Sequence, residues 1–199
     1  AKYLYNILKD IPFDKLEWIE AEDKRVKNGV RPNILAYYNG YSQGRIWIVS
    51  HMDTVSPGDL SLWETDPFKP VIKDGKVIAR GAEDDGQAII SSIYAVKAII
   101  ESGEKPRYSI GLALVSDEEE GSKYGVKYLI ENQYFNKNDM VIVPDAGDDR
   151  GSIIEVAEKS ILWIKSSIYG KQVHASTPDK GVNTSVVASD YIKEIHDYL

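Results

Sequence analysis

The chain of 199 residues has 24 lysines and arginines against 31 aspartates and glutamates, which gives a formal net charge of −7, and it contains no cysteine. This composition excludes disulfide bonds, thiolate metal sites and iron–sulfur clusters, and the scattered basic residues argue against nucleic acid as a partner. No apolar run approaches the roughly 18 residues of a membrane helix, and no signal peptide opens the chain. We therefore expect a soluble, cytoplasmic protein without a membrane or nucleic-acid partner.

Helical and strand patterns alternate along most of the chain. A helical pattern runs from Lys2 to Val26 with an interruption at Pro12, and Asp74-Gly75 between short apolar runs predicts a β-hairpin. The predicted strands cover 33–38, 45–49, 71–72, 77–79, 108–115 and 139–143, and helices are predicted over 87–102 and 122–132. This alternation predicts an α/β fold with a mostly parallel, twisted sheet flanked by helices.

The pattern changes after residues 148–151. Residues 161–169 alternate apolar and polar side chains, as in a sheet with one face in water, and a helix is predicted from Asn183 or Thr184 onward. We therefore divide the chain into a first domain, residues 1–158, and the beginning of a smaller α+β domain, residues 159–199.

One histidine and several carboxylates follow the predicted strands directly. These residues are His51, Asp84, Glu118, Glu119 and Asp145. In open α/β sheets, ligands bind at the carboxyl ends of the strands, so these side chains are expected to converge on one crevice. An imidazole with carboxylates and no thiolate suits zinc, manganese or cobalt, and so much negative charge favours two ions over one. The alternative is that the acidic segments lie on solvated faces or at helix N-termini.

Two further features refine this hypothesis. Asp53 lies two residues after His51, so in an extended chain both side chains point the same way, and the carboxylate can orient the imidazole. Glu118 and Glu119 are adjacent and therefore diverge, so that one can bind a metal ion while the other faces the reacting water.

Four segments carry a family resemblance. They are Ser50-His51-Met52-Asp53-Thr54-Val55, Arg80-Gly81-Ala82-Glu83-Asp84-Asp85-Gly86, Asp117-Glu118-Glu119-Glu120-Gly121-Ser122 and Val143-Pro144-Asp145-Ala146-Gly147. In content and order they resemble the co-catalytic di-zinc exopeptidases and aminoacylases, which include glutamate carboxypeptidase, acetylornithine deacetylase and succinyl-diaminopimelate desuccinylase. The resemblance implies a catalytic domain with a lid domain that forms a homodimer. It also implies two divalent ions, zinc or alternatively cobalt or manganese, and hydrolysis of the amide bond in an N-acyl amino acid or dipeptide.

The resemblance also implies individual roles. The implied metal ligands are His51, Asp84 as the bridge between both ions, Glu119 and Asp145. The implied catalytic residues are Glu118 as the general base, Asp53 as the clamp on the His51 ring, and His174, which would steady the oxyanion from the lid. The peptide bond between Asp84 and Asp85 is expected to be cis.

Members of this family are roughly twice as long and carry a second histidine ligand on a segment that follows the lid. We therefore expect the 199 residues to be the N-terminal part of a longer protein and to hydrolyse poorly by themselves. The alternative function is a non-catalytic, acidic metal-binding or dimerisation module with an incomplete site.

Overall fold

The computed structural model describes residues 1–148, 150–159 and 161–198. The chain divides into two compact units, residues 1–154 and residues 155–199, and each is described by itself. The first unit contains α1 (Lys2–Lys9), β1 (Lys15–Glu22), β2 (Val30–Tyr38), β3 (Arg45–His51), β4 (Val71–Lys73), β5 (Lys76–Ile78), α2 (Gly86–Glu101), β6 (Ser109–Val115), α3 (Val126–Glu131) and β7 (Met140–Ile142). The second unit contains α4 (Thr184–Tyr198).

The first unit is built on a five-stranded sheet with the order β1-β2-β6-β3-β7. Strand β3 pairs in parallel with both β6 and β7, whereas β2 pairs antiparallel with β1 and with β6. The predicted α/β class is confirmed, and the sheet is mixed because of its two antiparallel pairings. Strands β4 and β5 form the predicted hairpin. The candidate site residues that follow β3, β6 and β7 lie at the parallel half of the five-stranded sheet.

The predicted helix from Lys2 to Val26 is wrong beyond its first turns. Helix α1 ends at Lys9, and β1 occupies the second half of the segment. Leu16 and Trp18 pack on one side of the sheet and Ile19 packs on the other, as side chains of a strand do. The hydrogen bonds of β1 go to the distant strand β2, and a local helical periodicity carries no information about that partner.

Side chains alternate between the two faces of the central strands and build a core on each face. On one face, Ile34 and Leu112 pack against Ile93 of α2; on the other, Trp47 packs with Leu129 of α3. Burial of each such aliphatic side chain contributes about 1.5–3 kcal/mol. The two cores cover both faces of β3 and β6, and the candidate site lies where these strands end.

The apolar strand predicted over 139–143 is present as β7, and it is an edge strand of the sheet. Its pairing partner in the described residues is β3, and the side chain of Val141 is 54% exposed. In the second unit, the strand predicted over 161–169 is wrong, since no strand is assigned within the described residues of that range. The physical reason is that a strand needs a hydrogen-bonded neighbour, and here Leu162 remains 75% exposed.

The second unit places α4 next to the segment 161–166. Leu162, Ile164, Tyr191 and Ile195 line an apolar cavity of about 350 Å³. The side chain of Asn183 accepts a hydrogen bond from the backbone N–H of Ser185, which caps the first turn of α4. No helix in the part of the chain that the structure describes is long and apolar enough to cross a membrane.

Candidate metal centre

His51 is the last residue of β3, and its side chain is 3% exposed. Strands β6 and β7 flank β3, so the position of the imidazole is fixed by the sheet. Its Nε2 lies 2.9 Å from Asp84 Oδ1 and 3.7 Å from Asp145 Oδ2. Glu118 Oε2 is 3.9 Å from the same nitrogen. Three carboxylates that are far apart in the sequence therefore surround one ring nitrogen.

The ligand atoms of His51, Asp84 and Asp145 all lie within 4.8 Å of one another. One imidazole nitrogen and two carboxylate oxygens are ligands that zinc, cobalt and manganese accept. The carboxylates of Asp84 and Asp145 carry more negative charge than a single imidazole can balance, and a divalent cation would relieve their repulsion. The donor set of this three-residue group therefore fits a divalent metal ion.

The tautomer of His51 follows from its second ring nitrogen. Nδ1 lies 2.9 Å from the backbone oxygen of Asp53. A carbonyl oxygen can only accept, so Nδ1 must carry the hydrogen and donate it, and in the neutral ring Nε2 then keeps its lone pair. That lone pair points to the side of the ring where Asp84 and Asp145 lie.

The Asp53 carboxylate connects two loops. It accepts hydrogen bonds from the backbone N–H groups of Glu118, at 3.1 Å, and Glu119, at 3.2 Å. Its Oδ1 is 3.7 Å from Nδ1 of His51, which is too far for a hydrogen bond. The imidazole ring is therefore hydrogen-bonded to the backbone oxygen of Asp53, while the Asp53 side chain holds the loop after β6.

The side chains of Glu118 and Glu119 diverge. Glu118 faces His51, whereas Glu119 Oε1 accepts a hydrogen bond from the backbone N–H of Val55 at 3.1 Å. Among the described residues, Glu119 thus lies beside the three-residue group and outside it. Burial raises the pKa of Glu118, and the carboxylates of Glu119 and Asp145 raise it further, while His51 opposes the shift. A carboxyl group with a raised pKa is suited to proton transfer near neutral pH.

Asp85 is a site residue that the sequence reasoning missed. It is 1% exposed, and its Oδ2 accepts a hydrogen bond from the backbone N–H of His51 at 2.8 Å. Its Oδ1 is buried without a hydrogen-bond partner among the described residues, and burial raises the pKa of this carboxyl to about 6. The available signal was the doublet Asp84-Asp85, whose connecting peptide bond is cis as predicted.

Two histidines occupy different environments. Burial lowers the pKa of His51, but the Asp145 carboxylate, the hydrogen bond to the Asp53 backbone and the nearby Asp85 outweigh it, so the pKa is raised. His174 lies in the second unit, where its Nδ1 is 2.8 Å from the Ser176 hydroxyl. The role that the sequence resemblance implies for His174 stays a prediction.

Comparison with known proteins agrees with this geometry. Residues 47–187 match the model of Peptidase family M20/M25/M40, and the chain belongs to this family. An uncharacterized metallohydrolase of Methanocaldococcus jannaschii is 47% identical over 172 residues, which cover 85% of this chain and 42% of that protein. A succinyl-diaminopimelate desuccinylase of Nitratiruptor is 33% identical over 163 residues, which cover 79% of this chain and 42% of that protein.

Solved structures of the same family share the fold. A metallo-carboxypeptidase from Sulfolobus solfataricus has a TM-score of 0.61 at 25% identity and covers 75% of this chain and 33% of its own. A dipeptidase from Saccharomyces cerevisiae has a TM-score of 0.60 at 27% identity and covers 73% of this chain and 32% of its own. The chain spans less than half the length of each of these relatives.

Proposed function

We propose that this protein hydrolyses the amide bond of a small N-acyl amino acid or dipeptide with the help of divalent metal ions. The observation that carries the proposal is the group of His51, Asp84 and Asp145, with Glu118 Oε2 3.9 Å from the His51 nitrogen. Relatives named as a desuccinylase, a carboxypeptidase and a dipeptidase support an amide or peptide bond as the target.

The metal ligands in this proposal are His51, Asp84, Asp145 and Glu119, and the number of ions is two. Asp84 is the proposed bridge, because its Oδ1 lies near His51 and about half of its side chain is open to solvent. Zinc is the proposed metal, and cobalt and manganese are the alternatives that the same ligands accept. When bound, the ions would supply an acidified water and would polarise the substrate carbonyl.

The residues of the chain then account for the proton transfers. Glu118 accepts a proton from the attacking water, the water oxygen bonds to the amide carbon, and the C–N bond breaks as Glu118 returns the proton to the leaving amine. Asp53 holds the backbone of Glu118, and Asp85 holds the backbone of His51, so the proposed proton acceptor and a proposed metal ligand are both fixed before the substrate binds. His174 is proposed to stabilise the oxyanion.

The larger organisation is also a proposal. Residues 1–158 form the metal-binding part, and residues 159–199 begin a lid through which two copies form a homodimer. The negative net charge and the small-molecule substrates in the names of the relatives agree with a cytoplasmic enzyme that acts on metabolites.

The test combines metal binding with turnover. The purified protein is stripped with a chelator and titrated with Zn²⁺ and with Co²⁺ in a calorimeter, and release of amine is then measured for N-succinyl amino acids, N-acetyl amino acids and dipeptides. We expect two ions per chain and slow but measurable turnover of one of these substrate classes. Tight binding of metal without turnover of any of them would instead favour the non-catalytic metal-binding module.

A further inference from the structure

Four charged side chains lie together behind the loop that carries Glu118. We define the four-charge cluster as Asp23, Arg25, Arg31 and Asp117. Arg25 Nε is 2.9 Å from Asp23 Oδ1, and Arg31 Nε is 3.1 Å from Asp23 Oδ2. The Nη2 atoms of both arginines lie 3.5 Å from Asp117 Oδ1. Two arginines from β2 and the turn before it thus join two aspartates that are 94 positions apart in the numbering.

Burial makes this cluster sensitive to the loss of any member. The side chains of Asp23 and Asp117 are 1% and 0% exposed, and that of Arg31 is 21% exposed. Removal of one partner from a buried ion pair leaves an uncompensated charge, which is far more costly than the pair itself is stabilising. The pKa of Asp23 is held well below its ordinary value by the hydrogen bond from Arg25, so this carboxyl stays ionised.

Asp117 connects the four-charge cluster to the loop that carries Glu118. Its backbone has a φ of +68°, and its Oδ2 accepts a hydrogen bond from the backbone N–H of Tyr124 at 3.2 Å. Asp117 Oδ1 is buried and makes no hydrogen bond among the described residues, so the attraction of the two arginines at 3.5 Å is what satisfies it. A left-handed conformation in a residue other than glycine persists where its surroundings enforce it. The next residue along the chain is Glu118.

The backbone around Glu118, the proposed general base, is therefore held by two separate sets of contacts, those of Asp53 and those of the four-charge cluster. Asp53 binds the amides of Glu118 and Glu119 from the side of the metal centre. The four-charge cluster holds Asp117 from the opposite end of the same turn, and Arg25 also lies over the ring of Tyr124 at 5.0 Å. Among the described residues, the arginine side chains of the cluster form ion pairs with Asp23 and Asp117, Arg25 also lies over Tyr124, and neither forms an ion pair with a proposed metal ligand.

We propose that Arg31 and Arg25 are positioning residues, which act through Asp117 to fix Glu118 for proton transfer. The proposal rests on the proposed function of Glu118 and adds to it a support that lies outside the metal centre. Loss of either arginine should loosen the turn and lower the rate of the chemical step at an unchanged substrate affinity, and metal affinity, to which Glu119 of the same turn contributes in the proposed function, should fall by much less than kcat.

The test compares Arg31→Gln and Arg25→Gln with Lys24→Gln in the metal-loaded protein. Lys24 is exposed and lies in the same turn, so its replacement removes the same charge without touching Asp117. Arg25 is 55% exposed, which makes Arg25→Gln the milder change should Arg31→Gln fail to fold. Two quantities are measured: hydrogen exchange of the Glu118 and Glu119 amides, and the separate values of kcat and KM.

We expect faster exchange at these two amides in both arginine variants, normal exchange in the Leu112 region of β6, and no change in Lys24→Gln. We further expect kcat to fall by about 10- to 100-fold at an unchanged KM. Arg31→Lys should restore part of kcat, because an ammonium can pair with one of the two aspartates but lacks the fork that reaches both.

Exchange at the Glu118 and Glu119 amides that equals the wild-type rate in both arginine variants would overturn this proposal, whatever the turnover. A fall in kcat accompanied by an equal loss of metal affinity would also overturn it, since the arginines would then act on the metal centre. If the wild-type protein hydrolyses none of the substrates, the proposed function fails, and the exchange rates still decide whether the cluster positions the turn.

Discussion

Two acidic loops meet at the candidate metal centre, and they are supported in different ways. The loop 79–85 follows β5 and the loop 116–122 follows β6. Each presents one carboxylate to His51 with about half of its side chain exposed, Asp84 at 52% and Glu118 at 46%. Each also contains one buried aspartate next to that residue, Asp85 in the first loop and Asp117 in the second.

The buried aspartates differ in their partners. Asp85 accepts a hydrogen bond from the neutral backbone N–H of His51, and its pKa is raised. Asp117 lies against two guanidinium groups. The same sequence feature, an aspartate beside a site carboxylate, is thus stabilised by a neutral hydrogen bond in one loop and by ionic contacts in the other. The two loops should therefore respond differently to substitution and to pH.

The largest effect is expected from the second loop. Glu118→Gln removes the proposed proton acceptor but keeps the size of the side chain, so turnover should fall by about 10²- to 10⁴-fold while metal affinity stays within the wild-type range. Steady-state kinetics and metal titration measure the two quantities. Glu120→Gln, in an exposed neighbour, is the control. Near-normal turnover in Glu118→Gln would show that another group accepts the proton.

The next effect is expected from the exposed residue of the first loop. Asp84→Asn removes a carboxylate that lies 2.9 Å from His51 Nε2, so metal affinity should fall by about 100-fold or more, since changes to residues behind the ligands already cost about 10–100-fold. Calorimetric titration with Zn²⁺ measures this change. Glu83→Gln, in an exposed residue directly before Asp84, should bind metal normally. An equal loss in both variants would indicate a general effect of charge.

A smaller effect is expected at Asp85, where two variants distinguish the contribution of its hydrogen bond from that of its charge. Asp85→Ala leaves the His51 N–H without its acceptor, so the free energy of unfolding should fall by about 1–3 kcal/mol and metal affinity by about 10- to 100-fold. Asp85→Asn keeps an acceptor of the same shape and should lose much less of both. Denaturant unfolding of the metal-free protein measures the stability. If Asn and Ala at this position behaved alike, the charge of Asp85 would be its important property.

The smallest effect is a pH dependence that belongs to the ionic support of the second loop. The folded-state pKa of Asp23 lies below its unfolded value of 3.8, so its ionisation stabilises the protein above about pH 4, and this contribution is lost as the pH falls toward the folded-state pKa. Asp23→Asn should therefore be less stable than the wild type at pH 7, and the difference should narrow between about pH 4 and pH 2.

Urea unfolding of the chelator-treated protein across this pH range measures the Asp23 contribution, with Asp10→Asn in an exposed aspartate as the control. A difference between the wild type and Asp23→Asn that stays constant from pH 7 to pH 2 would contradict ionic stabilisation through Asp23.

Much of the fold near the site follows from local sequence. The apolar runs before His51 and before Asp117 predict β3 and β6 because strands buried on both faces need continuous apolar side chains. The hairpin at Asp74-Gly75 was predictable because Asp74 and Gly75 both have positive φ, which this pair tolerates. By contrast, the segment 15–22 has a local pattern compatible with a helix, and pairing with β2 decides that it is a strand.

At the site, the sequence by itself determined which side chains follow the strands and which chemistry they offer: one imidazole, several carboxylates and no thiolate. Strand order decided that His51 and Asp145 meet, because β3 and β7 are parallel neighbours in the assembled sheet, whereas Asp84 follows β5 of the separate hairpin and joins them through its loop. The sequence also could not predict that Asp85 and Asp117 are buried and hold the two loops. An aspartate next to a site carboxylate has the same local pattern whether it is solvated or buried, and only tertiary packing decides which partner compensates its charge.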